Sequence, residues 1–130
     1  MNVRQVVPFL RVSDLERSLC FYLDGLGFTM KLQWLDDGKL RWCWLDLGGA
    51  SLMLQESAGT TGGEGATLCF ICEDALALHR EFTSRGLTCT EPEVGNGMWF
   101  TDLTDPDGYR LEFESETDVA EDTKLSELNV

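Results

Sequence analysis

The strongest constraint on this chain is an internal repeat of its turn and helix-cap signals. Each half carries, in the same order, an aspartate that can cap a helix, a glycine that can end the helix and a glycine in a later turn. The members of each pair are 59 or 60 residues apart: Asp14 and Asp74, Gly27 and Gly86, Gly49 and Gly108. A fixed spacing of this kind indicates duplication of one structural unit. The sequence therefore predicts two similar modules in tandem.

Each module has the pattern of a strand, a capped helix and three further strands, so the predicted fold is α+β with two βαβββ modules. In the first module the helix would begin at the capping box Ser13-Asp14-Leu15-Glu16 and continue to Leu26. The predicted strands are 3–12, 28–35, 40–47 and 51–55, with a hairpin turn at 36–38. Pro8 removes a hydrogen-bond donor from the first strand, which is therefore an edge strand, a bulged strand or an exchanged arm.

In the second module Asp74 would cap a helix that ends near residue 84, and the predicted strands are 67–72, 87–91, 97–103 and 109–114. The predicted division of the chain is a first module at 1–56, a glycine-rich linker at 57–65, a second module at 66–114 and an acidic tail at 115–130. The tail is mostly polar, and we expect it to be frayed. Paired modules would form one curved mixed sheet around a cleft, where ligand pockets tend to lie.

The last predicted strand follows a tight turn with the sequence Asp-Pro-Asp-Gly. Pro106 fixes the φ angle at the second position of this turn, and Gly108 ends the turn. In the strand that follows, Tyr109, Leu111 and Phe113 alternate with Arg110, Glu112 and Glu114, which predicts one apolar and one polar face. Glu112 on the polar face is a candidate metal ligand, a ligand-binding charge or an ordinary strand residue.

Charge and cysteine content limit the classes of partner. The formal net charge is −13, which argues against nucleic acid and anionic membranes and mildly favours cationic partners. No apolar run is long enough to span a membrane, and the first ten residues do not resemble a signal peptide. Five cysteines form no regular framework, so we expect reduced thiols in a cytoplasmic protein.

Cys69 and Cys72 form a Cys-x-x-Cys sequence within a predicted strand. Residues three apart in a strand face opposite sides, so this pair cannot chelate one metal or close readily into a disulfide. We therefore expect both to be small apolar residues of the core.

At this point the sequence resembles a known family. The segments are VPFLRVSDLERS at 7–18, FY at 21–22, GLGF at 25–28 and DLTDPDGYRLE at 102–112. They are similar to the vicinal oxygen chelate superfamily, which includes glyoxalase I, extradiol dioxygenases, fosfomycin-resistance enzymes and bleomycin-resistance proteins. The resemblance covers about residues 3–114. It implies the fold of two paired modules, whereas it says little about activity because this fold supports many functions.

The resemblance also implies four positions for a divalent metal, which fall on Val7, Met53, Thr67 and Glu112. Only Glu112 offers a competent ligand, since the others are a hydrocarbon, a soft thioether and a neutral hydroxyl. A shift of the alignment at Met53 would add Glu56 but no histidine. The single histidine, His79, is predicted in mid-helix and exposed. We therefore expect no metal and no other cofactor.

Four tryptophans are candidates for a planar ligand surface: Trp34, Trp42, Trp44 and Trp99. Trp42 and Trp44 share one strand face, which would either line the cleft or pack on a helix. A carboxylate at Glu112 needs a partner, which would be Arg110 on the same face or a ligand cation.

The favoured hypothesis is a small-molecule binder similar to the bleomycin-resistance branch. We expect this protein to be a homodimer that binds an organic ligand such as an antibiotic, and we expect no nucleic-acid or membrane partner. The candidate ligand-binding residues are Val7, Phe9, Trp42, Trp44, Met53, Thr67, Trp99, Arg110 and Glu112. The alternatives are an atypical lyase or dioxygenase of the superfamily that uses Glu112, and a structural or regulatory interaction domain.

Overall fold

The computed structural model describes residues 2–59 and 66–128. The chain divides into two compact units, Met1–Gly62 and Gly63–Val130. Each unit contains one four-stranded mixed sheet and one main helix, in the order predicted. The α+β class and the tandem βαβββ modules are therefore confirmed. Most of the predicted linker, residues 60–65, lies outside the described residues.

The first unit contains β1 (Phe9–Val12), α1 (Leu15–Leu19), β2 (Thr29–Asp36), β3 (Lys39–Leu47) and β4 (Ala50–Glu56). The strand order in the sheet is β1-β4-β3-β2. β1 runs parallel to β4, and the other neighbours are antiparallel. The hairpin between β2 and β3 has positive φ angles at Asp37 and Gly38, as a two-residue turn requires.

The first strand is shorter than predicted, because it begins at Phe9 and not at residue 3. Val7 and Pro8 precede the strand, and the Pro8 carbonyl accepts a hydrogen bond of 2.9 Å from the Met53 amide. Proline supplies an acceptor at this point without having to donate. Of the three alternatives for this strand, the structure shows an edge strand, since within the described residues β1 pairs with β4 alone.

The helix of the first unit ends at Gly27 as predicted, but its capping residue and its second half differ from the prediction. Asp14, and not Ser13, caps it, because its carboxylate accepts from the Arg17 amide at 3.2 Å. After Leu19 the helix continues as a π-helix over Cys20–Gly25, where the Leu26 amide donates to the Phe21 carbonyl at 2.9 Å. This wider turn ends at Gly27, which has a φ of 92°.

The second unit repeats this arrangement with β5 (Thr67–Ile71), α2 (Ala75–Ser84), β6 (Glu93–Gly95), β7 (Met98–Thr104) and β8 (Arg110–Glu116). The strand order is β5-β8-β7-β6, with β5 parallel to β8. Asp74 caps α2 as predicted, by accepting from the Ala77 amide at 3.0 Å.

The strand predicted at residues 87–91 is wrong. The Thr90 amide donates to the Asp102 carbonyl at 2.9 Å, and the Asp102 amide donates to the Thr90 hydroxyl at 2.8 Å. These two bonds tie the segment to β7 without making it a strand. The strand lies at β6 instead, in residues expected to form a loop. Asn96 and Gly97, with φ angles of 53° and 75°, make the tight turn into β7.

The expectation of a frayed tail is wrong for the part that the structure describes. Val119 and Leu125 pack against a buried cluster of Ala75, Val94 and Trp99. The Glu121 carboxylate accepts from the two amides of the Asn96–Gly97 turn at 2.6 and 2.9 Å. A short 3₁₀ helix, Leu125–Leu128, follows.

The turn before β8 is held by its first residue, as its sequence predicts. Asp105 is 4% exposed, and its carboxylate accepts from the amides of Asp107 and Tyr109 at 2.9 and 2.8 Å. Gly108 has a φ of 92°. This turn fixes the start of β8 and therefore which of its side chains share a face. Among the described residues, no helix is long and apolar enough to cross a membrane.

Candidate functional site

The open face of the first sheet carries a row of large apolar side chains. Strand register places Phe9 beside Met53, Met53 beside Trp44, and Trp44 beside Leu32, so the row crosses all four strands. Phe9 is 45% exposed and Leu32 is 51% exposed, which is unusual for residues of this size. Their strand neighbours, Leu10, Val12, Cys43, Leu45, Leu52 and Leu54, are buried on the opposite face.

A second row lies on the same face, two residues away from the first row along each strand. It contains Arg11, Gln55, Trp42 and Trp34, again as direct cross-strand neighbours. Trp34 is 52% exposed, and Trp42 is partly buried. Two adjacent rows therefore form an aromatic face that is exposed where a folded monomer usually hides such surface. We refer to residues Phe9, Leu32, Trp34, Trp42, Trp44 and Met53 as the aromatic face.

Trp44 is held in a defined orientation by polar neighbours. Its indole Nε1 donates to Asp46 Oδ1 at 2.7 Å, and the Ser51 hydroxyl donates to the same oxygen at 2.7 Å. These two bonds, Ser51 first, keep the pKa of Asp46 below its usual range. The Lys31 ammonium lies 5.4 Å from the centre of the Trp44 ring, so this ring already holds a cation.

The open face of the second sheet has a different character. Cys69, Glu112 and Asp102 are direct neighbours on β5, β8 and β7. Glu114 lies two residues beyond Glu112 on the same side of β8, while Leu111 and Phe113 are buried on the other side. The predicted division of this strand into an apolar and a polar face is confirmed. We refer to Cys69, Asp102, Glu112 and Glu114 as the acidic face.

Burial and neighbouring negative charge raise the pKa of two residues on the acidic face. Burial, followed by the charge of Asp102 and then by Glu114, raises the pKa of Glu112 to about 7. Partial burial of the sulfur, followed by the hydrogen bond and charge of Glu114, raises the pKa of the Cys69 thiol to about 12. Each group therefore keeps its proton to a higher pH than it would alone.

Arg110, one of the two partners predicted for Glu112, pairs with Asp102 instead. Its guanidinium forms a close ion pair with Asp102 Oδ2 across the β7–β8 pair. The other carboxylate oxygen, Asp102 Oδ1, is buried, and no N–H or hydroxyl group of the described residues donates to it. A protonated Glu112 could donate to this side chain, in agreement with the raised pKa of Glu112.

The four positions implied by the family do not fit a metal centre. Val7 offers no donor atom, Met53 lies in the apolar row, and Thr67 is a neutral hydroxyl beside Arg110 in the register. Of these positions only Glu112 could ligate a hard or borderline cation. We therefore derive no chemistry through a metal at the family's positions.

A different set of possible ligands was missed by sequence reasoning. Within residues 2–59 and 66–128, Cys69, Glu112 and Glu114 have one ligand atom each within 4.8 Å of one another. Cys69 was expected in the core, which is wrong, because its side chain is exposed. The available signal was the alternation of β5, where Leu68 and Phe70 face inward and leave Cys69 on the face of Glu112.

Two further candidates lie away from both faces. Trp99 is 5% exposed and packs in the buried cluster with Ala75 and Val94, so we do not include it in the proposed ligand surface. His79 is partly buried and not solvent-exposed as expected. Its Nδ1 lies 3.3 Å from the Thr101 hydroxyl, and burial lowers its pKa.

Comparison with known proteins gives one family and one fold. A model of the glyoxalase/bleomycin resistance protein/dioxygenase superfamily matches residues 3–113. A bleomycin-binding protein solved in complex with bleomycin is 23% identical, with 88% of this chain and 100% of that chain covered and a TM-score of 0.72. A search of curated proteins found no match.

Two other solved structures share the fold. An antibiotic-binding protein from Streptomyces sp. CB03234 is 20% identical, with 90% and 99% of the two chains covered and a TM-score of 0.69. A glyoxalase-related enzyme from Clostridium phytofermentans is 18% identical, with 90% and 98% covered and a TM-score of 0.74. At these identities the likeness establishes the fold and not the activity.

Proposed function

This chain belongs to the glyoxalase/bleomycin resistance protein/dioxygenase superfamily, and from that premise we propose that it is a small-molecule binder without the family's metal centre. Its ligand would be an organic compound with planar aromatic groups and positive charge, a class that includes antibiotics. The observation that carries this proposal is the aromatic face of the first unit. A surface of this kind offers flat contacts to a planar ligand at low cost in side-chain entropy.

The orientation of Trp44 supports binding and not only packing. Its indole N–H is already bonded to Asp46, so the ring does not have to be ordered when a ligand arrives. Preorganisation of this kind reduces the entropic cost of association. Lys31 beside the ring occupies the position that a ligand cation would take, and it can move because its side chain is long and flexible.

The charge of the chain supports a cationic ligand. The formal net charge of −13 raises the local concentration of cations and speeds their association. Two proteins of the same fold, a bleomycin-binding protein and an antibiotic-binding protein, support this ligand class.

The test is a titration of tryptophan fluorescence with a panel of planar compounds matched in size, some cationic and some anionic, with bleomycin as the first member. We expect saturable quenching by cationic members only, and a weaker response as salt is raised. Saturable binding of the anionic members alone would contradict the proposed ligand class.

A second candidate, an enzyme that uses Glu112, is favoured by one observation. A carboxyl with a pKa of about 7 is suited to general acid or base catalysis near neutrality. Nuclear magnetic resonance spectra of a bound ligand would separate the two functions. Recovery of the ligand unchanged supports a binder, whereas conversion that is lost in Glu112→Gln supports the enzyme.

We also propose a cytoplasmic homodimer in which β1 supports the subunit contact. β1 is an edge strand with an exposed Phe9, and Val3 and Val6 before it are 83% and 87% exposed. All five cysteines lie in the described part and are free thiols, in keeping with a reducing compartment. Light scattering tests the dimer, and a monomer mass at micromolar concentration would contradict it.

A further inference from the structure

The acidic face of the second unit brings a thiol and two carboxylates together in a way the family's metal positions do not. Cys69 lies on β5 directly beside Glu112 on β8, and Glu114 follows two residues later on the same side. One ligand atom from each lies within 4.8 Å of the other two. We propose that Cys69, Glu112 and Glu114 bind a thiophilic divalent cation, with Zn²⁺ as the preferred ion.

The geometry requires little movement. Zinc binds sulfur at about 2.3 Å and carboxylate oxygen at about 2.0–2.2 Å, so donors on one ion lie roughly 3–4 Å apart. The donors here are within 4.8 Å before any ion is bound. Small rotations of the two glutamate side chains, which stand on a rigid strand, would close the set. A fourth position would remain for water or another ligand.

A buried carboxylate beside the three residues gives a further reason to expect a cation. Asp102 is 8% exposed and lies directly opposite Glu112. Its Oδ2 pairs with Arg110, whereas an ionised Glu112 leaves its buried Oδ1 without a hydrogen-bond donor among the described residues. A cation on Glu112 would take the place of the missing proton and compensate the buried charge of Asp102.

The charges of the described residues leave this position negative. Asp102 comes from β7, and Glu112 and Glu114 come from β8, whereas the guanidinium of Arg110 is already paired with Asp102. Zinc binds the thiolate form of cysteine, so metal binding should release the proton of the Cys69 thiol.

The ligand set also fixes which ion is preferred. A thiolate with two carboxylates favours Zn²⁺ over Mg²⁺ and Ca²⁺, which prefer ligands that are all oxygen. Of the three ligands only Glu112 occupies a position that the family resemblance implies. The site lies within one unit and does not depend on ligand binding at the aromatic face.

The test is calorimetric titration of Zn²⁺ and Mg²⁺ into the untagged full chain after treatment with a chelator. The variants are Cys69→Ser and Glu114→Gln, and the controls are Cys20→Ser, an exposed thiol in the first unit, and Glu116→Gln, an exposed carboxylate further along β8. We expect a single Zn²⁺ per chain, no comparable Mg²⁺ binding, and affinity lower by ~10-fold or more in the two variants but not in the controls.

Two further readouts do not depend on the variants folding equally well. Titration in buffers of different ionisation enthalpy measures the protons released, and Co²⁺ gives a thiolate charge-transfer band that should disappear only in Cys69→Ser. Wild-type affinity in Cys69→Ser would overturn the proposal. So would Mg²⁺ binding as tight as that of Zn²⁺, or the absence of Zn²⁺ binding to the wild type.

Discussion

Trp44 and Asp46, two residues apart on β3, are joined by a hydrogen bond of 2.7 Å from the indole nitrogen to the carboxylate. The same carboxylate oxygen accepts from Ser51 on the neighbouring strand, so the indole is fixed from two strands at once. This arrangement sets the orientation of the indole at the centre of the aromatic face, between outer members that are about half exposed.

Replacement of Asp46 should weaken ligand binding without loss of the fold. In Asp46→Ala the indole of Trp44 would lose its partner and sample several rotamers, so the ligand would have to order it. Tryptophan fluorescence anisotropy should fall and affinity for the panel of planar cations should decrease. Asp36→Ala, which removes an exposed carboxylate at the end of β2, is the control. Equal affinity in both variants would show that the orientation of Trp44 does not matter.

Glu112 should make the protein less stable as pH rises. Its pKa is raised to about 7 in the folded state, whereas an unfolded glutamate titrates near about 4.3. Between these values the folded state binds more protons, so the free energy of unfolding falls with increasing pH, and the loss is complete above about 7. With partial exposure taken into account, the effect should be on the order of 1 kcal/mol.

Urea unfolding at pH 5 and pH 8 with a chelator present measures this effect of Glu112. Glu112→Gln should be more stable than the wild type at pH 8, and the difference should shrink at pH 5. Glu116→Gln at the end of the same strand should follow the wild type. A Glu112→Gln variant that gains stability equally at both pH values would contradict the shifted titration.

The packing of the tail on the second unit should contribute measurable stability. Leu125 contacts the cluster of Ala75, Val94 and Trp99, so Leu125→Ala should lower the free energy of unfolding by about 1–2 kcal/mol, less than for a fully buried leucine. Leu128 is 49% exposed, and Leu128→Ala should have little effect. Urea midpoints compare the two. Identical midpoints would show that the tail does not pack as described.

The turn before β8 should depend on the carboxylate of Asp105. Asp105→Ala would remove the carboxylate that accepts from the amides of Asp107 and Tyr109 in a partly buried turn, at a cost of about 1–3 kcal/mol. Asp105→Asn keeps one acceptor oxygen and should cost less. Denaturant unfolding of both variants is the measurement. A larger loss in Asp105→Asn than in Asp105→Ala would contradict this account.

Much of the fold could be predicted because the same helix-cap and turn residues recur at a constant spacing in both halves of the chain. Asp14 and Asp74 cap their helices in both units, and the two sheets have the same strand order. The π-helix after Leu19 could not be predicted, since its apolar positions also fit an ordinary helix. Strand β6 differs from the prediction because Asn96 was assigned to a loop and Gly97 to the next strand, although the two residues form a typical hairpin turn.

The candidate site was only partly predictable, because alternation gives two faces without saying which one is buried. Trp99 lies on a strand with apolar residues on both sides, so the sequence could not show that it faces inward. Cys69 was misplaced because a cysteine is usually buried. Its neighbour Phe70 stacks on Phe113 at 4.7 Å between ring centres, and this contact turns Cys69 to the acidic face.

The central claim, that Trp44 on the aromatic face binds a planar cationic ligand, is tested most directly by calorimetric titration of the panel, bleomycin first, into three proteins. These are the wild type, Trp44→Ala, and Trp99→Phe as a control that changes a buried tryptophan outside the face. We predict that the wild type and Trp99→Phe bind with equal affinity and that Trp44→Ala binds ~10-fold more weakly, the effect of losing about 1.4 kcal/mol of stacking and cation–π energy. Equal affinity in all three proteins, or no binding of any panel member to the wild type, would contradict the claim.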